Sequence, residues 1–452
     1  MATAGSKKCH GDSLIFGTSA AVRVARLALI LAGLVAMFLT AMTIVYSIPQ
    51  QRILANATAS ARQLETEGLY PRPMGTAGLQ LDNYTDALMI DTSIRDDSRS
   101  ALQSALLAIH QDTGRPRRAI VGLQTTTSGP RTRPIEYSYY WHGYQVLLRP
   151  ALFLLDYGSI RYLNMLLMSV ALLCCLAIVD RTLNTSGVVA LVVSLAVTGF
   201  YVVPLSLQYS GVVYLMLAGV GATLWAEKRG LIGVLGAEIL FTLGAVTAFV
   251  DLLTAPLLTL GMPLVALMLF EARHRVLCWK RAAIVTVLAS GSWASSYAMT
   301  LAAKWLIGGA VLGHTILRPA IAEIALRTGA ASVRAYPVLS AIFQNVRFLL
   351  PLLRTNADRT LHGGMPTVLF VVSVPTILGG VLLACVLLRR EPRARCRSGA
   401  PVLIACGLPL AWIAVVSEHS LVHSWFTYRI LAVSLFAILG ILIGSLEKPV
   451  RN

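Results

Sequence analysis

Long apolar stretches alternate with short polar segments along this 452-residue chain. The bilayer core, about 30 Å thick, requires about 20 apolar residues per helix, and the runs here lack the alternation typical of strands. Because backbone groups in lipid must be satisfied within helices or closed barrels, the pattern predicts an all-α polytopic membrane protein. About ten transmembrane helices are predicted, near residues 24–47, 160–179, 187–206, 209–226, 231–250, 255–271, 282–303, 366–388, 401–416 and 428–446.

Lys and Arg are distributed unequally between the short connections, and this asymmetry predicts the orientation of the chain. The positive-inside bias acts mainly through short loops. With a cytoplasmic N-terminus, the basic connections all lie on the cytoplasmic side: Arg181, Lys228, Arg229, Arg273, Arg275, Lys280, Arg281 and the cluster 389–397. The turns around 206–208, 251–254 and 417–427 contain no Lys or Arg. We therefore expect cytoplasmic tails at 1–23 and 447–452 around a transmembrane domain at 24–446.

Two connections are much longer than the others, and both are expected outside the cytoplasm. They comprise residues 48–159 and 304–365. Loops of this length are usually functional or disordered. The second loop also carries apolar positions that suit helices lying in the membrane interface. Candidate chemistry is therefore expected in these two extracytoplasmic loops.

Composition and charge agree with this assignment. Hydrophobic residues make up 56% of the chain and charged residues 13%, whereas a soluble domain has about 25% charged residues. The formal net charge of +17 includes many loop-end residues, where anionic lipid headgroups attract each basic side chain by about 1 kcal/mol. We expect contacts with membrane lipids and no nucleic-acid partner. None of the seven Cys falls in an expected outer loop, which excludes a disulfide framework there.

The segment LDNYTDALMIDTS, residues 81–93 of the first long loop, contains the aspartates Asp82, Asp86 and Asp91. A carboxylate in an outward-facing cavity can act as a general base that removes the proton of an acceptor hydroxyl. Asp82 and Asp86 are therefore candidate catalytic residues. Asn83 and Thr85 equally allow a hydrogen-bonded turn or a helix N-cap at this position.

A second polar segment, SEHSLVHSWFTYR, spans residues 417–429 between two apolar runs. His419 and His423 are four residues apart and would share one face of a helix. A metal site needs further ligands in suitable geometry, and only Glu418 lies close in sequence, so we expect no metal. With Tyr428 and Arg429, the two imidazoles form a better receptor for a phosphate or for sugar hydroxyls. A solvated polar turn is the alternative.

Three more candidate binding residues border the membrane on the same side. His142 lies among aromatic residues that either form an interfacial belt or stack on sugar rings. Asp251 closes an apolar run, and it either faces a substrate or lies near the positive end of the next helix. Lys304 either extends to the interface as a snorkelling residue or contacts a lipid phosphate.

The order of one span, a long outer loop with early aspartates, and many spans with a second outer loop resembles the GT-C class of integral membrane glycosyltransferases. Three motifs, YYWHGY (139–144), DLLTAPLLTLGMPL (251–264) and EHSLVHSWFTYR (418–429), are similar to those of a bacterial GT-C-like group. The resemblance implies a polyprenyl-phosphate sugar donor and a cell-envelope glycan, lipid or protein acceptor outside the plasma membrane. It also implies an aspartate of the first outer loop as base, here Asp82 or Asp86. This chain departs from the common pattern because no adjacent acidic pair occurs in that motif, which leaves the choice of base open.

The distribution of polar residues leads to the same mechanism without the resemblance. The short cytoplasmic connections contain no Gly-rich phosphate loop or Rossmann fingerprint, so we expect a lipid to deliver the donor. Positive side chains would stabilise the leaving phosphate, which makes a metal or other cofactor unnecessary. The candidates for this role are Lys304, Arg429, Arg318, Arg327 and Arg347.

A transporter or flippase of lipid-linked envelope precursors is the alternative function. Such a protein is expected to have internal repeats, discontinuous helices and charged residues near the bilayer midplane. Glu238 is the only acidic residue well inside a predicted span, and the sequence shows no repeat. The pattern therefore favours the transferase.

Overall fold

The computed structural model describes residues 20–73, 75–95, 98–112, 114, 118–129, 133–275, 277–330, 338–349 and 399–446. The predicted span 366–388, the basic cluster 389–397 and most of both predicted tails lie outside the described residues.

Helices make up about four fifths of the described chain. They are α1 (Ala20–Tyr46), α2 (Gln50–Glu67), α3 (Asn83–Asp91), α4 (Ala101–Leu107), α5 (Arg118–Ser128), α6 (Gln145–Leu154), α7 (Tyr157–Val197), α8 (Leu207–Lys228), α9 (Ile232–Val250), α10 (Leu258–His274), α11 (Trp279–Leu312), α12 (Leu317–Thr328), α13 (Val338–Arg347), α14 (Gly407–Val415), α15 (Ser417–Val422), α16 (Ser424–Thr427) and α17 (Ala432–Leu446). Short 3₁₀ helices span Ala77–Leu79, Phe200–Leu205, Ala400–Cys406 and Tyr428–Leu431. Two-residue strands β1 (His110–Gln111) and β2 (Pro134–Ile135) pair antiparallel.

Five helical segments in the described ranges are long and apolar enough to cross a membrane. They are Ala21–Tyr46, Tyr157–Val197, Leu207–Lys228, Ile232–Val250 and Ser424–Ser445. This confirms the prediction of a helical protein with membrane-spanning character. The total of ten spans stays a prediction.

The helix α7 reverses direction at Asn184, where φ is 57° and ψ is −173°. A straight helix of 41 residues would be about 60 Å long. However, Nδ2 of Asn164, near its start, donates to the carbonyl oxygen of Pro204 at 2.8 Å and to Oγ of Ser210 at 2.7 Å, shortly after its end. The two halves of α7 therefore run antiparallel, at the positions predicted for two separate spans.

Ion pairs join the helix ends at one end of the bundle. Arg275 pairs with Glu227 at 3.0 Å, and Arg281 pairs with Glu271 at 3.0 Å. Arg273 donates to the carbonyl oxygen of Leu183 beside the reversal in α7. We call this the basic end. Because α8 and α9 connect here, as do α10 and α11, the turns 198–206 and 251–257 lie at the opposite end, which we call the loop end.

Close contacts between helices form the core. A Cβ atom on Gly244 of α9 would overlap the carbonyl oxygen of Trp293 in α11. A Cβ atom on Gly219 of α8 would lie 2.9 Å from Pro263 of α10. Small residues of this kind allow membrane helices to approach closely. The result is a tightly packed support beneath the loop end.

The first long loop is a folded layer with its own apolar cluster. Ile53, Leu64, Ile90 and Leu123, contributed by three different helices, are fully buried in it. Arg149 attaches this layer to α1: its guanidinium donates to the carbonyl oxygens of Val45 (2.8 Å), Ser93 and Ile48 (3.3 Å). The layer therefore holds α3 in a fixed position above the helices.

Candidate functional site

Asp82 is the N-cap of α3, as one of its two sequence interpretations anticipated. Its Oδ1 accepts the backbone N–H of Thr85 at 3.0 Å, and its Oδ2 accepts the Thr85 hydroxyl at 3.0 Å. Only 3% of the residue is exposed. Burial, with a contribution from nearby Asp86, raises the pKa of Asp82 from 3.8 to about 7. The carboxyl group therefore changes its protonation state near neutral pH.

Asp86 accepts four hydrogen bonds, and these attach α3 to the start of α8. Its carboxylate accepts the Tyr157 hydroxyl at 2.5 Å and the Ser206 hydroxyl at 3.1 Å. It also accepts the backbone N–H groups of Leu207 and Gln208, both at 3.0 Å. Burial raises the pKa of Asp86, although the Tyr157 hydroxyl and Arg161 oppose that shift. Its hydrogen bonds satisfy two of the free N–H groups at the N-terminus of α8.

The hydrogen-bond network of Asp86 also includes an ion pair between Arg161 and Glu67, two residues that the sequence analysis did not identify. Nη1 of Arg161 lies 2.8 Å from Glu67, and Nη2 donates to Asn83 at 2.9 Å and to the Tyr157 hydroxyl at 2.6 Å. Burial alone would raise the pKa of Glu67, but the hydrogen bond from Arg161 holds it below its usual range. Arg161 could have been identified from the sequence, because it is a charged residue in the first turns of an apolar span.

Asp251 caps the C-terminal end of α9 and orders the turn after it. Both carboxylate oxygens lie within 3.1 Å of the backbone N of Thr254. Burial raises the pKa of Asp251 from 3.8 to about 7. The Thr254 hydroxyl lies 3.5 Å from the carbonyl oxygen of Gln208. The turn of Asp251 therefore adjoins the N-terminus of α8 that Asp86 caps.

Arg327 of the second long loop contacts both predicted histidines. Its Nη1 lies 2.9 Å from Nδ1 of His419 and 3.4 Å from Nε2 of His423. Because a guanidinium only donates, both ring nitrogens act as acceptors. Nε2 of His419 then carries the proton and donates to the carbonyl oxygen of Leu253 at 2.8 Å. Burial, with His423 and Arg327 nearby, lowers the pKa of His419 well below its usual value.

In the segment 423–429, three buried N–H donors have no acceptor among the residues that the structure describes. Burial and Arg327 lower the pKa of His423 to about 4, and its Nε2 accepts from Arg327, so the ring proton is on Nδ1. Nδ1 of His423, Nε1 of Trp425 and Nε of Arg429 have no hydrogen-bond partner among the residues that the structure describes. Unsatisfied buried donors are costly. We call these three atoms the donor cluster; they favour a ligand rich in acceptor oxygens.

The members of the donor cluster are neighbours in space and in sequence. The rings of His423 and Trp425 have centroids 5.1 Å apart. Nη1 of Arg429 donates to the carbonyl oxygen of Trp425 at 3.2 Å. Gln208, near the start of α8, carries a buried acceptor, Oε1, that likewise has no partner in the described part of the chain.

Arg429 and Tyr428 contact the segment that leads to Asp82. The Tyr428 hydroxyl donates to the carbonyl oxygen of Gly78 at 2.9 Å. The Arg429 guanidinium lies 4.4 Å from the ring centroid of Tyr209, whose hydroxyl donates to the carbonyl oxygen of Gln80 at 3.1 Å. Tyr209 also interacts electrostatically with Asp82 and Asp86. The structure therefore brings residues from both predicted polar segments, some 340 positions apart, to one location at the loop end.

His142 and Lys304 lie together but with other partners. Nε2 of His142 donates to the carbonyl oxygen of Tyr137 at 2.7 Å, and burial lowers its pKa to about 3. Lys304 is fully buried; its ammonium donates to the carbonyl oxygen of Leu106 at 2.7 Å and lies 5.6 Å from the ring centroid of Trp141. A fully enclosed ammonium does not reach the interface as a snorkelling side chain does.

In the described ranges, no group of three or more His, Cys, Asp or Glu side chains is arranged to hold a metal ion. No family model, curated protein or solved structure matches the chain. The function of the chain is therefore inferred from its own residues.

Proposed function

We propose that the protein is a membrane glycosyltransferase of the GT-C type. It transfers a sugar from a polyprenyl-phosphate donor to a cell-envelope acceptor on the extracytoplasmic side of the plasma membrane. The observation that carries this proposal is the donor cluster, His423 Nδ1, Trp425 Nε1 and Arg429 Nε, together with the contacts of Tyr428 and Arg429 to the carbonyl oxygen of Gly78, four residues before Asp82. Three N–H donors and one guanidinium charge suit a phosphate.

The proposed membrane topology places this site outside the cytoplasm. The helix-connecting turns with Arg273, Arg275 and Arg281 lie at the basic end. By the positive-inside bias that end faces the cytoplasm, with ten spans and both tails cytoplasmic. The loop end then lies at the outer leaflet, where the phosphate of a lipid-linked donor would also lie.

Asp82 is the better of the two candidate bases. The Asp86 carboxylate already accepts four hydrogen bonds from the Tyr157–Gln208 network, whereas, among the residues that the structure describes, Asp82 accepts only from Thr85. A base is most effective when its pKa lies near the working pH, and the pKa of Asp82 is about 7. We assign Asp86 to holding the site together.

The transfer step needs only the side chains present. Asp82 takes the proton of an acceptor hydroxyl while its oxygen forms a bond to the anomeric carbon of the sugar. The bond from that carbon to the phosphate oxygen breaks, and its electron pair stays on the polyprenyl phosphate. Arg429 and the N–H donors stabilise the added negative charge, and Arg327 holds His423 in position. We therefore propose transfer without a metal or other cofactor.

The proposal is tested with purified protein in lipid nanodiscs and a panel of hexosyl and pentosyl polyprenyl phosphates. We expect release of polyprenyl phosphate by the wild type and loss of that release in Asp82→Asn. Asp156→Asn is the matched control, because Asp156 is also an N-cap aspartate whose side chain accepts a backbone N–H, from Ser159 at 2.8 Å. Movement of the intact donor between leaflets of proteoliposomes, without release of sugar, would instead show a flippase.

A further inference from the structure

A polar cavity of about 170 Å³ lies in the folded first loop, against the helix that follows Asp82. Tyr84 and Leu88 of α3 line one side, and His110, Gln111 and Asp112 line the other. Tyr84 is two residues from Asp82, whereas Asp86 points to the opposite side of α3, towards α8. The transferase site as described above uses none of these cavity-lining side chains.

The wall formed by β1 is rigid. The backbone N–H of Gln111 donates to Oδ2 of Asp91 at 2.8 Å, and its side-chain Oε1 accepts the backbone N–H of Arg133 at 3.1 Å. A Cβ atom on Gly122 of α5 would overlap the carbonyl oxygen of Gln111. The cavity is thus formed before any ligand binds, and preorganisation of this kind reduces the cost of binding.

Aromatic rings connect the cavity with the donor cluster. The rings of Tyr84 and Tyr70 are nearly parallel, at 20°, with centroids 6.5 Å apart. Tyr70 meets Trp425 edge to face, with centroids 5.8 Å apart. Tyr70 is 40% exposed, so a face of this row is open to a ligand. Trp425 contributes one of the three N–H groups of the donor cluster.

We propose that this cavity and the row Tyr84–Tyr70–Trp425 form the acceptor subsite and that the acceptor is a saccharide. Sugar rings present apolar faces that pack on aromatic side chains, and hydroxyl groups that a carboxylate and an imidazole can bind. Asp112 and His110 provide those groups in the cavity. An acceptor lying along the row is adjacent to Trp425 of the donor cluster and to Tyr84, which is two residues from the proposed base Asp82.

This inference rests on the proposed function, because the word acceptor has meaning only for a transferase. The binding test itself does not need turnover. Saturation-transfer difference NMR on the full-length protein in nanodiscs would use four methyl glycosides as probes: those of glucose, galactose, mannose and arabinofuranose. We expect saturation transfer to at least one of them in the wild type.

Substitutions test whether the methyl glycosides bind at the proposed acceptor subsite. Tyr70→Ala and Asp112→Asn should weaken the signal about threefold to tenfold, because each removes one contact from a partly exposed position. Tyr84→Ala should weaken the signal to a similar extent if the variant folds. If it does not fold, Tyr70→Ala tests the row in its place. Tyr162→Ala is the matched control, since Tyr162 is 77% exposed on α7 and lies outside the row.

The outcomes separate this inference from the proposed function. Absence of transfer to all four glycosides, or equal signals in the wild type, Tyr70→Ala and Asp112→Asn, overturns the subsite. Release of polyprenyl phosphate with no glycoside binding would leave the transferase standing and remove the subsite. Glycoside binding that depends on Tyr70 and Asp112, with no donor release, would support a saccharide site and remove the transferase.

Discussion

Nη1 of Arg327 lies 2.9 Å from Nδ1 of His419, 92 residues further along the chain. The contact joins the second long loop to the segment that carries the donor cluster. Burial, together with the neighbouring His423 and the Arg327 guanidinium, lowers the pKa of His419 and keeps its imidazole neutral. The positive charge beside the proposed phosphate site is thus supplied by arginine at every physiological pH.

The pH dependence of turnover should report Asp82. Burial raises the pKa of this carboxyl to about 7, and a base acts only when it is deprotonated. We expect the rate to rise about tenfold per pH unit below pH 7 and to level off above it. The measurement is kcat/KM for polyprenyl-phosphate release between pH 5 and 9. A rate that is constant down to pH 5 would contradict the assignment.

Asp86→Asn should lower stability. The Asp86 carboxylate accepts two backbone N–H groups at the start of α8 and the Tyr157 hydroxyl. The substitution replaces it by a neutral amide that has only one acceptor oxygen. Loss of hydrogen bonds to a charged group costs about 1–3 kcal/mol. Thermal unfolding monitored in detergent should show a lower Tm, with turnover retained below that temperature. Full loss of turnover at an unchanged Tm would make Asp86 the base.

Lys304→Met should leave donor binding unchanged. The ammonium is enclosed, and its hydrogen bond goes to the carbonyl oxygen of Leu106 and not to a residue of the donor cluster. Met keeps the length of the Lys side chain and avoids the cost of burying a charged group. The KM for the lipid-linked donor should stay within about twofold of the wild type. An increase of tenfold or more would restore Lys304 as a phosphate ligand.

Gly122→Ala should disturb the rigid wall of the cavity. A Cβ atom would overlap the backbone carbonyl oxygen of Gln111, which cannot rotate away as a side chain would. Overpacking of this kind typically costs about 1–3 kcal/mol. Gly129→Ala is the control, because nothing lies near the added atom there. Equal unfolding temperatures for the two variants would show that α5 is free to move from β1.

The helical class and the polar segments could be predicted from the sequence because both depend on local patterns. Apolar runs determined where α8 and α9 lie, and Asp251 was expected to close one of them. The N-cap at Asp82 was one of the alternatives that the sequence allowed, because its partner Thr85 is local. Each of these features involves residues close together in the chain.

Partners far apart in sequence could not be predicted. The Asp86 carboxylate lies 122 positions from the N–H of Gln208 that it accepts, and no local pattern gives that pairing. The sequence did not distinguish Arg327 from Arg318 and Arg347. In the structure, tertiary packing places Arg327 in contact with the imidazoles of His419 and His423. The position of Lys304 at the end of an apolar run is typical of a residue at the membrane interface. In the structure, Leu106 and Trp141 of the folded first loop cover it.

Binding of a polyprenyl phosphate to the protein in nanodiscs tests the central claim most directly, with the uncharged polyprenol as the reference ligand. Trp425→Phe keeps the ring that packs against Tyr70 and removes only the N–H of the donor cluster. We predict that the wild type prefers the phosphate and that Trp425→Phe weakens its binding about tenfold, as expected for one hydrogen bond to a charged group. Trp279→Phe, at an exposed position of α11 near the basic end, should have no effect. Equal affinity of the wild type for the phosphate and the polyprenol, or equal binding by the wild type and Trp425→Phe, would contradict a phosphate site at the donor cluster.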